Sequence, residues 1–115
     1  LSILEAEESA LGLNHARLGQ ELAQSWGIPS RLIEAITYHH APARAEVDPE
    51  LASLVHIADA VSRNLGAGSG GDPFTPVIHG LAFTHLAVEA SDLIKWDDEI
   101  QPEVQKDMAF LSAIA

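Results

Sequence analysis

Leu11-Gly12-Leu13-Asn14-His15-Ala16-Arg17-Leu18-Gly19-Gln20-Glu21-Leu22-Ala23-Gln24-Ser25-Trp26-Gly27-Ile28-Pro29-Ser30 (residues 11–30) holds two helix stops and two helix starts in twenty residues. Gly12 accepts the left-handed conformation that ends a preceding helix, read from Leu4 to Ala10. Asn14 is an N-cap for a helix from about His15 to Trp26, in which Leu18, Leu22 and Trp26 recur every fourth position and are expected to form the buried stripe. Gly27 stops that helix. Pro29 and Ser30 open the next, since proline is tolerated where an amide has no helical partner.

The same punctuation continues outward. The helix after Pro29 carries Leu32, Ile33, Ile36 and the pair His39-His40, and Pro42 should end it at about His40. Asp48-Pro49 reads as an N-cap and first-turn proline. The helix it starts carries Leu51, Leu54, Val55, Ala58, Val61 and Leu65, a broad apolar face expected in the middle of a bundle, and Gly66 closes it. Residues 66–75 are rich in glycine and read as a flexible loop. A phosphate cradle there would need a following Lys-Ser/Thr or a preceding strand, and the sequence has neither. Pro76 to Phe83 reads as a short helix. From about Glu89 an amphipathic pattern takes Leu93, Trp96, Ile100, Val104, Met108 and Leu111, with Pro102 expected to break or kink it. No strand-length alternation and no internal repeat occurs, so the expected fold is an all-α helical bundle with residues 1–115 in one domain.

The chain of 115 residues carries 17 acidic against 6 basic side chains, a formal charge of −11. Nucleic-acid binding needs a Lys/Arg stripe to displace counterions, and attraction to a membrane surface needs the same, so both partners are excluded. No apolar run reaches the ~20 residues of a membrane span. The absence of cysteine removes disulfides, thiolate zinc sites and thiol nucleophiles, and fits a cytoplasmic protein. With neither an initiator Met nor a basic signal region, Leu1 reads as a point inside a helix of a longer protein.

Chemistry, if present, rests on the six histidines. His15 opens a helix, where the dipole favours the neutral imidazole that a metal requires. Gly19, one turn on, leaves room beside it for a backbone or ligand. His39 and His40 close the next helix; as neighbours on a helix they would point roughly 100° apart, so that only one easily serves a given site. His56 and Asp59 are three apart and share a helical face with Arg63, an arrangement open to metal ligation by Asp59 or to a local Asp59–Arg63 ion pair. No Gly-x-Ser-x-Gly and no His-Glu-x-x-His is present. Asp97-Asp98-Glu99 reads as a solvated helix face.

In order and spacing over about residues 4–66, Leu11-Gly12-Leu13-Asn14-His15-Ala16 with Gly19, Trp26-Gly27-Ile28-Pro29, Ala35-Ile36-Thr37-Tyr38-His39-His40-Ala41-Pro42 and Leu54-Val55-His56-Ile57-Ala58-Asp59 together resemble the C-terminal half of an HDOD domain. That domain is the bacterial signalling relative of the HD-type metal-dependent phosphohydrolases. The resemblance implies an HD-type helical bundle. It maps His15, His39 or His40, and Asp59 onto metal-ligand positions, partial or vestigial here, with His56 and Arg63 in support. The implied cofactor is none or a divalent metal (Fe, Mn, Zn or Mg). No His in the chain is followed by Asp, so the catalytic His-Asp dyad is absent. Ala41-Pro42-Ala43-Arg44 also departs from the Gly-Tyr-Pro signature of the cyclic-di-GMP phosphodiesterases.

Two functions follow as expectations. One is a non-catalytic output or regulatory module of bacterial signal transduction, acting through contacts with other signalling domains or proteins. The other is a metal-dependent phosphohydrolase whose remaining ligands lie upstream. A weaker third is a histidine-based pH sensor.

Overall fold

The computed structural model describes residues 2–66 and 77–114, and in these it contains six α-helices, one 3-10 turn and no strand. The helices are α1 (Ile3–Leu11), α2 (His15–Ser25), α3 (Ser30–Tyr38), α4 (Pro49–Asn64), α5 (Gly80–Leu86) and α6 (Ala90–Ile114), with the 3-10 turn at Pro42–Arg44. The all-α expectation therefore holds. The expected glycine-rich loop falls, beyond Gly66, outside the described residues.

Local chemistry sets most of the boundaries. The Ser2 hydroxyl accepts the Glu5 N–H while the Glu5 carboxylate accepts the Ser2 N–H, a reciprocal cap that starts α1 at Ile3. Gly12 ends it at φ 73°. The Asn14 side chain accepts the Arg17 N–H at the start of α2. Asp48 caps α4 through the Leu51 N–H, and Pro49 follows as the first residue. Some boundaries differ from the sequence reading. α3 ends at Tyr38, two residues early, and α5 begins at Gly80 rather than Pro76 and ends at Leu86 rather than Phe83. α6 continues through Pro102 without interruption.

The buried faces are made of small residues. α2 buries Ala16 and Ala23, whereas the expected stripe of Leu18, Leu22 and Trp26 is exposed, Trp26 by 72%. Periodicity locates an apolar stripe, but here the neighbouring helix packs on the alanine face beside it. Gly19 is part of that approach: a Cβ at this position would stand 2.7 Å from Cγ2 of Ile36 on α3. Trp26, Leu32, Ile36 and Val55 instead line an open apolar groove of about 580 Å3 that reaches His39.

On α4 the buried residues are Ala52, Ser53, His56, Ile57, Ala60 and Val61, while Leu54 and Val55 of the expected face are exposed. α4 packs against α3, the 3-10 turn and α5, and so does stand in the middle. Ile57, Val61 and Ala82 form a core cluster, joined from the last helix by Leu93 and Trp96. The apolar face of α6 then runs on past the core, with Ile100, Met108 and Leu111 exposed.

Glu34 is the buried acid of the fold. Its carboxylate accepts the N–H groups of Glu46, Val47 and Asp48, fixing the segment that leads into α4. Burial pushes the Glu34 carboxyl up, but the three amides together outweigh it and hold it below the usual carboxylate value.

Two outcomes follow. In Gly19→Ala, overpacking against a stiff β-branched methyl costs roughly 1–3 kcal/mol, against ~1 kcal/mol gained in helix propensity. We expect a lower melting temperature, recovered in part by Ile36→Ala in a double-mutant cycle. For Glu34, a folded-state pKa below the unfolded one means stability that is present above the unfolded value of 4.5 and lost as the pH falls below it. Glu34→Gln should therefore be destabilised at neutral pH by about 1–3 kcal/mol and lose less further stability on acidification than the parent, as read by urea denaturation at several pH values.

Candidate metal centre

Three histidines from two chain segments meet at the junction of α1, α2 and α3. His15 is the first residue of α2, and its Nε2 stands 3.1 Å from Nε2 of His39 and 3.0 Å from Nε2 of His40. The three ring nitrogens lie within 4.8 Å of one another. Both members of the adjacent pair reach the site, contrary to the expectation that only one would. α3 ends early, so that His39 and His40 lie in the turn after Tyr38, and their ring centroids are 4.1 Å apart.

The outer nitrogens fix the tautomers. The Glu7 carboxylate accepts from Nδ1 of His15 at 2.8 Å and from the His15 backbone N–H at 2.9 Å. These two bonds, the backbone one first, hold the Glu7 carboxyl below its ordinary value. His39 donates from Nδ1 to the Ile36 carbonyl at 2.6 Å. In the neutral forms, both His15 and His39 then present an Nε2 lone pair to the centre. Two lone pairs 3.1 Å apart repel unless a proton or a cation stands between them. His40 favours the neutral form: burial first, then the neighbouring His39 and His15, push its pKa down to about 4.

The donor set fits a metal. Imidazole nitrogens bound tetrahedrally at 2.0–2.1 Å stand about 3.3 Å apart, close to the two spacings seen. A carboxylate on the far nitrogen of a ligand histidine is the usual orienting partner, and Glu7 has that position. Glu7 is a functional candidate that sequence reading missed. It lies eight residues before His15 across a helix break, a spacing with no periodic signal.

The other sequence candidates surround the centre. Asp59 is half-buried and does not belong to the cluster of ring nitrogens within 4.8 Å, but its charge reaches His40 and His56 and partly opposes the lowering of their pKa values by burial. His56 is buried with both ring nitrogens engaged: Nδ1 donates to the His39 carbonyl at 2.7 Å, and Nε2 accepts the His79 N–H at 3.1 Å. It supports the backbone of His39 and offers no free nitrogen. Its pKa is lowered, chiefly by burial. Arg63 lies one turn beyond Asp59 on α4. Asp97-Asp98-Glu99 falls within α6, which buries none of its residues.

Among the described residues, no helix is long and apolar enough to cross a membrane. No curated protein matches the chain, and neither does any solved structure. The family model of the HDOD domain matches residues 1–42. The match lies in the N-terminal part of the chain and stops at Pro42, short of the stretch through Asp59 that the sequence resemblance took in. It contains Glu7, His15, His39 and His40, the whole of the histidine centre and its carboxylate partner. Over its first 42 residues the chain is thus similar to the HDOD domain.

Proposed function

We propose that this chain is the regulatory part of an HDOD-type bacterial signalling protein of the cytoplasm, non-catalytic, acting through contacts with other signalling domains or proteins. In this reading one divalent transition metal at His15, His39 and His40 fixes α1, α2 and α3 to one another. The observation that carries the metal is the facing of two Nε2 lone pairs, each set by a hydrogen bond on the opposite side of its ring. An all-nitrogen donor set suits Zn or Fe rather than Mg, which prefers oxygen. A bound metal would supply a positive charge and a cross-link between helices. The chain's own groups do the rest: Glu7 orients His15, the Ile36 carbonyl orients His39, and His56 holds the His39 carbonyl in place.

A regulatory role is supported by the surface. Leu22, Trp26, Leu32, Leu54 and Val55 are all exposed around α2, α3 and α4, a grouping of apolar side chains that suits contact with another protein. Against hydrolysis stands the engagement of Glu7: both its oxygens are spent on His15, which leaves no free general base in that carboxylate. A second reading, a metal-dependent phosphohydrolase, is favoured by one feature. Three protein ligands with a further position open is the layout of catalytic zinc sites.

Elemental analysis of the full-length, untagged protein should find near one equivalent of a transition metal. His39→Ala should abolish it, and Glu7→Gln should weaken binding by about 10–100-fold, read by competition with a chromophoric chelator. Metal at 100 times its dissociation constant should stabilise the fold by about 2.7 kcal/mol. Metal content below about a tenth of an equivalent after reloading would remove the metal from this reading. Turnover of a phosphodiester that is lost in His15→Ala would replace it with the hydrolase.

A further inference from the structure

A second pocket opens on the other side of His40. It has a volume of about 450 Å3 and takes its walls from α1, α2, the end of α3 and the 3-10 turn. Its polar lining is Asn14, Arg17, Gln20, Tyr38, His40 and Arg44, above apolar contributions such as Leu4 and Ala16. Two of the four arginines of the chain are here. In a protein with 17 acidic residues, two guanidinium groups on one small pocket are a local reversal of sign.

Neither guanidinium is locked elsewhere by a close carboxylate. Arg17 has only a long, exposed contact to Glu21, 3.7 Å from Nε. Arg44 lies over the Tyr38 ring with Cζ 5.2 Å from its centroid, an arrangement that steadies a guanidinium while leaving its N–H groups available. The Asn14 amide is engaged with the Arg17 N–H and the Glu8 carboxylate, and the Thr37 hydroxyl donates to the Ile33 carbonyl, so the Gln20 amide is the further rim group beside the two guanidiniums; the volume is within the ordinary range for a small molecule.

We propose that this pocket binds a small organic oxyanion, a phosphate monoester or a carboxylate, with its charged group between Arg17 and Arg44 and its organic part over Leu4 and Ala16. A fixed guanidinium fork matches both anions in geometry. The site shares the His40 wall with the metal centre, so an occupied pocket would bear on the turn that carries His39 and His40. It does not depend on a cation in that centre.

The test is nuclear magnetic resonance titration of the EDTA-treated full chain with phenyl phosphate, benzoate and uncharged benzyl alcohol. Saturable amide shifts at Asn14, Arg17, Gln20, Tyr38 and Ala41 with either anion are expected, and the tighter of the two identifies the oxyanion. Arg17→Gln/Arg44→Gln should weaken binding at least tenfold, while Lys106→Gln, which removes a positive charge on α6, should not. Arg17→Gln alone changes only an exposed side chain and serves if the double variant does not fold. The proposal is overturned by the absence of saturable binding up to about 20 mM, by benzyl alcohol binding equally well, or by binding that survives the double variant. It is overturned too by binding that appears only after a metal is restored, since the anion would then sit on the cation.

Discussion

The close approach of α2 to α3 at Gly19 decides where His15 meets His39 and His40. The 2.7 Å separation between a Cβ built there and the Ile36 methyl means that any larger residue must push the helices apart. His15 lies one turn before Gly19 on α2, and His39 lies just past the end of α3, three residues beyond Ile36. The separation of the helices therefore bears directly on the spacing of the ring nitrogens. A few tenths of an ångström at this contact would separate groups now 3.0 and 3.1 Å apart.

That contact is held in place by a chain of polar groups crossing four elements. Glu7 on α1 binds His15 on α2, His15 faces His39 after α3, the His39 carbonyl takes the Nδ1 proton of His56 on α4, and His56 accepts the His79 N–H before α5. Every link except the lone-pair contact is a satisfied hydrogen bond. The links through His56 are part-buried and the Glu7–His15 pair lies nearer the surface, so the constraint is strongest at the His39 carbonyl. Glu34 does the same work separately, drawing the backbone of residues 46–48 against α3 and so setting where α4 starts.

Much of this was legible in the sequence where the cause is local. Gly12, Asn14, Asp48-Pro49 and Gly66 mark helix ends because caps and left-handed turns depend on the residues themselves and their near neighbours. The meeting of His15 with the histidine pair was also foreseeable, since one opens a helix and the others close the next. What could not be read was depth. Leu18, Leu22 and Trp26 form a stripe, but Ala16 and Ala23 are buried, because a close-packed helix pair selects small side chains. Glu7 and Glu34 resemble ordinary surface acids in sequence, and only the tertiary fold brings them their donors. The joint reach of His39 and His40 depended on a helix ending two residues early.

The long last helix follows a different rule from the rest. Its first turns rest on the core through Leu93 and Trp96, while its remaining length has no buried residue and contains Pro102, which removes one backbone bond. Helical order in water is marginal for so short an unsupported segment, because nucleation is costly and each added bond gains little. The far half of α6 is thus a conditional helix. Its persistence reports on whatever its apolar face meets, and the chain carries at this end a segment whose folding is set by its surroundings as much as by its own sequence.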